Sequence, residues 1–318
     1  MTRVGAIDCG TNSIRLLVAD VEPTSPGGSP TLVDVVRRME VVRLGLGVDR
    51  TGVIAPEAMA RTLAMAGEYA AQCEKLEVER VRFVATSASR DARNADEFVD
   101  GVRTAFSAYG IAPEVVSGHE EASLSFLGAT GGLHAHGVDG PFLVVDLGGG
   151  STEFVRGTTE VEQARSVDIG CVRMTERHLH TDPPTAAEIA AATVDVDAAI
   201  DQAAAVVDVA GVSALVGLAG SVTTITAHAL GLTAYDPARI HLASLPVERI
   251  EAACTDLLGM TRAERAALGF MHPGRVDVIG AGALVWRRIV ERVHREAGIT
   301  HVTTSEHDIL DGIALSLA

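Results

Sequence analysis

Two short segments of the chain combine a carboxylate, glycine and a hydroxyl at the same spacing. Residues 146–151 read Asp-Leu-Gly-Gly-Gly-Ser, and residues 8–13 read Asp-Cys-Gly-Thr-Asn-Ser. Glycine turns let backbone N–H groups approach an anion closely, and a nearby carboxylate can hold a cation against a phosphate through water. A single glycine motif is equally typical of an ordinary hairpin turn. The repeat of the Asp-x-Gly-x-x-Ser spacing is what favours a metal-assisted phosphate site.

Apolar runs flank both segments and predict a strand, a turn and a second strand in each case. Val144 and Val145 precede Asp146, and apolar residues resume at Phe154 and Val155. Two such hairpins predict two similar halves of one molecule. We expect the two turns to face each other across a cleft and to clamp a phosphate chain and its metal between them.

Alternating strand and helix patterns cover the remaining chain and predict the α/β class. After a predicted strand at 81–85, residues 86–94 form a turn rich in hydroxyls and arginine, in which Arg90 is either a salt-bridge partner or a phosphate ligand. Small residues at 218–224 form a third turn that enters a helix. A helix N-terminus there could take a phosphate, or the small residues could serve close helix–strand packing. Residues 23–30 predict a solvated loop.

Two adjacent glutamates near residue 120 have different expected duties. Ser117 and Glu120 have the spacing of a capping box, which predicts that Glu120 closes the start of a helix. Glu121 has no such duty. It is either a surface carboxylate favoured by the helix dipole or a general base positioned over the cleft. Thr185 and Glu188 repeat the capping-box spacing before an alanine-rich helix.

Composition excludes several classes of protein. A length of 318 residues suggests about two domains, and the net charge of −16 argues against a general nucleic-acid-binding surface. Lys75 is the only lysine, which excludes a P-loop NTPase and a protein kinase because both place a lysine on phosphates. The sequence predicts neither a membrane helix nor a secretory leader, and its four widely spaced cysteines predict neither a disulfide framework nor a zinc site. We therefore expect a cytoplasmic protein.

The sequence contains only weak matches to the motifs of phosphatases that use a cysteine or an aspartate as nucleophile. Cys9 and Arg15 show the C-x5-R spacing of a cysteine-phosphatase loop, but Cys171 and Arg177 show it too, and Asp8 would oppose a thiolate at Cys9. The Asp195-Val-Asp197 pair resembles the signature of an aspartate-nucleophile phosphatase, but its helical setting argues against that role.

Five motifs occur in the order and spacing of one family: residues 8–13, 117–122, 146–153, 217–224 and 273–277. From Val4 to about Leu315, the chain resembles the exopolyphosphatase and guanosine pentaphosphate phosphohydrolase (Ppx/GppA) family of the actin/sugar-kinase/chaperone superfold. The resemblance implies two ribonuclease-H-like α/β domains with an interdomain cleft. We predict these domains at 1–124 plus 301–318 and at 125–300, in the short form that lacks the C-terminal extension of long members.

The resemblance also implies residue roles. Glu121 matches the general base for the attacking water, and Asp146 and Glu153 match carboxylates of catalysis and metal binding, with Asp8 as a further metal ligand. The implied phosphate-binding residues are Gly10, Thr11, Asn12, Ser13, Arg90, Gly148, Gly149, Gly150, Ser151, Gly220 and Ser221. Position 15 is Arg here, where other members can carry His, so the first hairpin gains a local charge.

The implied activity is removal of the terminal phosphate of inorganic polyphosphate with Mg²⁺, or alternatively Mn²⁺. The alternative substrate is guanosine pentaphosphate. The superfold also contains ATP-dependent kinases, which would phosphorylate an acceptor, and non-catalytic assembly proteins, whose function would survive loss of Glu121. We expect neither a nucleic-acid nor a membrane partner. A homodimer is one of the oligomeric states compatible with the sequence. The sequence does not decide between the two substrates, or the preferred chain length, metal and oligomeric state.

Overall fold

The apolar run that ends at Asp8 forms a strand buried from Val4 onwards, as a strand covered on both faces requires. The computed structural model describes residues 1–22, 30–133 and 137–318. In it the chain divides into two compact units: unit 1 is residues 1–131 plus 309–318, and unit 2 is residues 132–308. Apart from Pro30, the predicted loop at 23–30 lies outside the described residues. The domain ranges given above stay a prediction.

Unit 1 is built on a five-stranded sheet. Its strands are β1 (Thr2–Cys9), β2 (Ser13–Glu22), β3 (Thr31–Val41), β4 (Arg80–Ala85) and β5 (Glu114–Val115). They lie in the order β3-β2-β1-β4-β5, antiparallel from β1 to β3 and parallel from β1 to β5. The helices of unit 1 are α1 (Val48–Thr51), α2 (Pro56–Lys75), α3 (Ser87–Asp91), α4 (Ala95–Ala105), α5 (Gly118–Thr130) and α13 (Ile309–Leu315).

Unit 2 is built on a six-stranded sheet. Its strands are β6 (Phe142–Leu147), β7 (Thr152–Gly157), β8 (Val161–Val167), β9 (Ala214–Leu218), β10 (Ser244–Pro246) and β11 (His301–Thr304). The order is β10-β11-β9-β6-β7-β8. Its helices are α6 (Cys171–His178), α7 (Ala186–Ala204), α8 (Ala219–Ala229), α9 (Pro237–Ile240), α10 (Val247–Gly259), α11 (Arg262–Ala266) and α12 (Ile279–Ala297).

The two sheets share one plan, which confirms the predicted ribonuclease-H-like α/β class. In each, a central strand pairs antiparallel with the next strand along the chain, and that strand pairs antiparallel with the one after it. The central strand also pairs parallel with a later strand reached through helices. The central hairpins also share their register, because Asp8 pairs with Arg15 and Asp146 pairs with Glu153. The predicted similarity of the two hairpins is therefore confirmed at the level of individual residue pairs.

Of the two capping boxes predicted from the sequence, the structure contains one. The Thr185–Glu188 capping box is complete at the start of α7. At α5 the Ser117 hydroxyl accepts from the backbone N–H of Glu120, but the Glu120 carboxylate does not return to Ser117. It accepts from Arg82 at 2.8 Å instead. The predicted cap role of Glu120 is therefore wrong, because a guanidinium on β4 offers a stronger, charged donor.

The C-terminal helix α13 returns to unit 1, as expected for an actin-like fold. Ile309, Leu310 and Ile313 are buried in one apolar cluster with β1 and β2 residues such as Val4 and Leu17. A Cβ added to Gly312 would stand 1.9 Å from the carbonyl oxygen of Leu124 on α5. The two helices therefore touch backbone to backbone, a contact that only glycine permits.

Candidate active site

The turn after β6 has the backbone geometry of a closed loop. The N–H of Gly148 donates to the carbonyl of Ser151 at 3.1 Å, so residues 148–151 turn the chain within one hydrogen-bonded ring. The carbonyls of Gly148 and Gly149 accept from the first N–H groups of α6. A Cβ on Gly170 would lie 2.2 Å from the Gly149 carbonyl, so a glycine is required for this approach. Helix α6 therefore fixes the shape of the turn.

Two carboxylates stand side by side at the base of this turn. Asp146 on β6 and Glu153 on β7 are direct cross-strand partners, so their side chains share one face of the sheet. Both are buried, and Glu153 is only 1% exposed. The hydroxyl of Ser166, the cross-strand partner of Glu153 on β8, donates to the Glu153 Oε1 atom at 2.8 Å. The structure thus gives Glu153 a fixed orientation next to Asp146.

The turn after β1 has the same ring but different side chains. The N–H of Gly10 donates to the carbonyl of Ser13 at 2.9 Å, and the carbonyls of Thr11 and Asn12 accept from the loop after β3. The cross-strand partner of Asp8 is Arg15, whose Nη2 and Nε atoms donate to Asp8 Oδ2 at 2.7 and 3.0 Å. The protein itself therefore supplies a positive charge next to the Asp8 carboxylate.

Glu121 lies in the first turn of α5 and is only 8% exposed. The Nη1 atom of Arg90 donates to its Oε2 atom at 2.8 Å. Burial raises the pKa of Glu121 above the usual glutamate value, and the negative charge of Asp8 adds to that rise, while Arg90 and Thr86 oppose it. The structure thus brings Glu121, Asp8 and Arg90 into one cluster of unit 1.

The third small-residue turn opens α8 directly after β9. Ala219 has a φ of 67°, a left-handed conformation that costs a non-glycine residue about 1 kcal/mol or more. The Arg275 guanidinium packs where a Cβ on Gly220 would stand, with Nη2 2.1 Å from that point. Ser221 is buried. Close packing is therefore present at this turn, and phosphate binding by Gly220 and Ser221 stays a prediction.

Arg90, in the turn at residues 86–94, forms an ion pair with the Glu121 carboxylate. Arg90 holds Glu121 and also donates to the Val116 carbonyl at 2.9 Å, which matches the salt-bridge alternative for this residue. Phosphate binding by Arg90 stays a prediction. Arg93 donates to the Thr51 carbonyl at 2.9 Å and packs where a Cβ on Gly52 would stand.

The structure gives no support to the alternative nucleophiles. Burial raises the pKa of Cys9 well above its usual range, helped by Asp8, and burial also raises the pKa of Cys171. Both thiols are therefore held in the unreactive protonated form. Asp195 and Asp197 lie within α7 and pair with His178 and Arg288.

Within the described parts of the chain, no cluster of three or more His, Cys, Asp or Glu side chains is arranged to hold a metal. Mg²⁺ does not need such a cluster, because it commonly binds through one or two carboxylates plus waters and substrate phosphates. Asp146 and Glu153 form a donor pair of this kind. No helix among the described residues is long and apolar enough to span a membrane.

The architecture and the paired carboxylate turns define a protein of two ribonuclease-H-like units. The Ppx/GppA phosphatase family matches residues 18–317. Exopolyphosphatase 2 of Mycobacterium tuberculosis is 52% identical, with 100% of this chain and 99% of the relative covered. The chain therefore belongs to the Ppx/GppA phosphatase family and is a hydrolase.

Solved structures agree with this assignment. A crystal structure of an exopolyphosphatase-like protein is 45% identical, has a TM-score of 0.94 and covers 100% of this chain and 98% of its own. The Ppx/GppA enzyme of Aquifex aeolicus is 28% identical, with a TM-score of 0.77 and 99% of each chain covered.

Sequence reasoning did not find two side chains that orient the candidate residues. The Ser166 hydroxyl donates to Glu153, and Arg173 donates to the Gly150 carbonyl at 2.7 Å. Ser166 and Arg173 had no local signal, because their partners are 13 and 23 residues away in the chain.

Proposed function

We propose that the protein is an exopolyphosphatase, which hydrolyses the terminal phosphate of inorganic polyphosphate with a water activated by Glu121. The observation that carries the proposal is the buried Glu121 carboxylate, held by Arg90 beside Asp8. The name of the Mycobacterium tuberculosis relative, with its 52% identity over the whole chain, favours polyphosphate as the substrate.

The environment of Glu121 suits a general base. A base that works near neutral pH benefits from a pKa above the usual glutamate value, and burial has this effect on Glu121. The ion pair with Arg90 opposes this rise and favours the ionised form, which is the form that can accept a proton. In the proposed step the water oxygen attacks the terminal phosphorus while its proton passes to Glu121. The bridging P–O bond breaks, releasing phosphate and a shortened chain without a covalent enzyme intermediate.

The glycine turns are proposed to bind phosphate oxygens through backbone N–H groups. The predicted residues are Gly10, Thr11, Asn12 and Ser13 in unit 1 and Gly148–Ser151 in unit 2. Thr11 supports the idea, because its hydroxyl is buried and has no hydrogen-bond partner among the described residues. A substrate oxygen would satisfy this hydroxyl, whose burial without a partner costs about 1–3 kcal/mol.

We propose Asp146 and Glu153 as the residues that hold Mg²⁺, with Mn²⁺ as the alternative. Their adjacent oxygens on one sheet face, with Glu153 oriented by Ser166, match the preference of Mg²⁺ for oxygen donors. When bound, the ion would neutralise charge on the transferred phosphate. Asp8 remains a predicted further ligand, although Arg15 already supplies it with a positive charge.

Guanosine pentaphosphate is the second candidate substrate, because the family is named for both activities. The deciding experiment measures phosphate release from long polyphosphate, short polyphosphate and guanosine pentaphosphate, each with Mg²⁺, with Mn²⁺ and with a chelator. We expect metal-dependent release with the highest kcat/KM on polyphosphate. Release from guanosine pentaphosphate alone would replace the proposed substrate. No release from any of the three would contradict the proposal, and ATP-dependent phosphorylation of an acceptor would indicate a kinase.

A further inference from the structure

Helix α6 holds the carbonyl groups of the unit 2 turn. Its first N–H groups donate to the carbonyls of Gly148 and Gly149 at distances between 2.9 and 3.2 Å. The next carbonyl, that of Gly150, accepts from a side chain instead, the Nε atom of Arg173 at 2.7 Å. Arg173 is only 9% exposed, so bulk water has little access to this bond. The last carbonyl of the series is thus held by a buried guanidinium rather than by the helix backbone.

The N–H groups of the same peptides point the other way. In a trans peptide, the C=O of one residue and the N–H of the next lie in one plane and on opposite sides. Because the carbonyls of residues 148–150 are directed at α6, the N–H groups of Gly149, Gly150 and Ser151 are directed away from it. None of these three N–H groups has a hydrogen-bond partner among the described residues, although Ser151 is only 2% exposed. Buried N–H groups without a partner are rare, and several of them in succession form an anion-binding concavity.

The equivalent peptide of unit 1 is held by backbone. Asn12 matches Gly150 in the repeated motif, and its carbonyl accepts from the N–H of Arg43 at 2.8 Å. The shared fold thus does not require an arginine side chain at this point. In unit 2 the residue is a glycine, which tolerates either orientation of the following peptide because it has no Cβ. A rotation of that peptide would turn the Ser151 N–H away and present the Gly150 carbonyl oxygen to the anion.

We propose that Arg173 is a positioning residue for substrate binding, whose Nε hydrogen bond holds the Gly150–Ser151 peptide with its N–H directed at a phosphate oxygen; this inference rests on the proposed phosphate-binding role of the turn. A hydrogen bond from a charged donor is about twice as strong as one between neutral groups. Such a donor suits a peptide that glycine would otherwise leave free to rotate. The carbonyls of Gly148 and Gly149 do not need a side chain, because the backbone of α6 reaches them.

The test compares two variants that differ mainly in the atom at the Nε position. In Arg173→Gln the amide nitrogen is separated from the backbone by the same number of bonds as Nε and can still donate, whereas in Arg173→Met a methyl group takes that place. Both variants lose the charge and the outer nitrogens, so their difference isolates the hydrogen bond to Gly150. At saturating Mg²⁺, we expect the KM for polyphosphate to be about 5- to 10-fold higher in Arg173→Met than in Arg173→Gln. The two kcat values should agree within about twofold, because weaker binding of substrate and transition state alike raises KM without lowering kcat.

The outcomes separate this inference from the proposed function. Thermal unfolding checks that both variants are folded, and Arg173→Leu replaces Arg173→Met if the latter does not fold. Equal KM values in the two folded variants would overturn the proposal, as would a lower kcat in Arg173→Met at equal KM. Failure of the wild-type protein to release phosphate from polyphosphate would instead contradict the proposed function, so the two failures are distinguishable.

Discussion

The two hairpins have the same strand register, but the residues opposite their aspartates carry opposite charges. In unit 1 the cross-strand partner of Asp8 is Arg15, and the two form an ion pair at 2.7 Å. In unit 2 the cross-strand partner of Asp146 is Glu153, so two carboxylates stand together. One position on a repeated hairpin thus decides whether the cross-strand partner of the aspartate is an arginine or a second carboxylate.

This difference indicates that the hairpins of unit 1 and unit 2 have different roles. Two adjacent carboxylates repel each other unless a cation or a proton lies between them, so the unit 2 hairpin is suited to a metal ion. The unit 1 hairpin does not need the ion, because Arg15 supplies the charge. Its neighbourhood instead contains Glu121. We therefore expect substitutions in unit 1 to change proton transfer and those in unit 2 to change metal dependence.

The largest expected effect concerns Glu121, the proposed base, which lies in unit 1. Glu121→Gln preserves shape but cannot accept a proton from water, so kcat should fall about 10²- to 10⁴-fold while substrate binding persists. Glu120→Gln is the matched control, since Glu120 is 46% exposed and pairs with Arg82. Steady-state kinetics on both folded variants decide the point. Near-normal turnover in Glu121→Gln, or equal losses in both, would contradict the assignment.

The next effect tests the metal role of the unit 2 hairpin. Glu153→Gln should raise the Mg²⁺ concentration for half-maximal activity on the order of 100-fold, because it removes one of two charged oxygen donors. Titration of activity with Mg²⁺ gives this value, and direct Mg²⁺ binding by calorimetry checks it without turnover. Arg15→Gln is the matched change at the equivalent position of unit 1. If both variants shift the requirement equally, the proposed difference between the hairpins is wrong.

Ser166 should produce a smaller effect in the same direction. Ser166→Ala removes the hydroxyl that orients Glu153, and loss of such an outer partner typically weakens metal affinity about 10-fold or somewhat more. The Mg²⁺ titration of Ser166→Ala beside Ser166→Thr, which keeps a hydroxyl, checks this. An unchanged requirement in Ser166→Ala would show that Glu153 does not depend on this hydrogen bond for metal binding.

The pH dependence of kcat should be sensitive to the ion pair between Asp8 and Arg15 in unit 1. Glu121 must be ionised to act as a base and its pKa is raised by burial, so kcat should decline as the pH falls through that raised value. Arg15→Gln leaves the charge of Asp8 less compensated, which raises the pKa of Glu121 further and moves the decline to higher pH. Profiles of kcat against pH for wild type and Arg15→Gln provide the measurement. A downward shift would contradict the sign of this coupling.

Ionic strength should have the smallest effect. The chain carries a net charge of −16, so binding of a polyanion depends on local arginines, whose exposed contacts are screened by salt. The KM for polyphosphate should rise a few-fold, roughly, between low and physiological ionic strength. Arg90→Ala should lower kcat through Glu121 more than it raises KM. A dominant rise in KM would support Arg90 as a phosphate ligand instead.

The sequence was sufficient to predict the repeated hairpin, the α/β class and the family. These features depend on residues adjacent in the chain, such as Asp146 with Gly148 and Ser151, whose spacing is visible directly. The sequence also indicated Glu121 as a candidate base, which stays a prediction, because its neighbour Glu120 had a different apparent duty. Even that reasoning was partly wrong, since Glu120 pairs with Arg82 rather than capping its helix.

Other features could not be predicted because they depend on pairing across the sheet. The partner of Asp8 is set by the register of β1 with β2, and the contact of Ser166 with Glu153 by the register of β7 with β8. Burial of Glu121 likewise requires the packing of α5, which no local pattern specifies. Charge compensation at a site is thus a property of the folded sheet rather than of a motif.

The return of α13 to unit 1 determines when this unit can be completed during synthesis. The ribosome delivers residues 132–308, a continuous stretch that forms unit 2, before it delivers Ile309–Leu315. The apolar cluster that contains Val4, Leu17 and Leu124 has no partner for its last face until this helix emerges. A nascent chain can therefore finish its second unit first, although folding during synthesis commonly proceeds from the N-terminus. Leu124 lies three residues after Glu121 on α5, so the helix that contains Glu121 gains its final packing only when the chain is nearly complete.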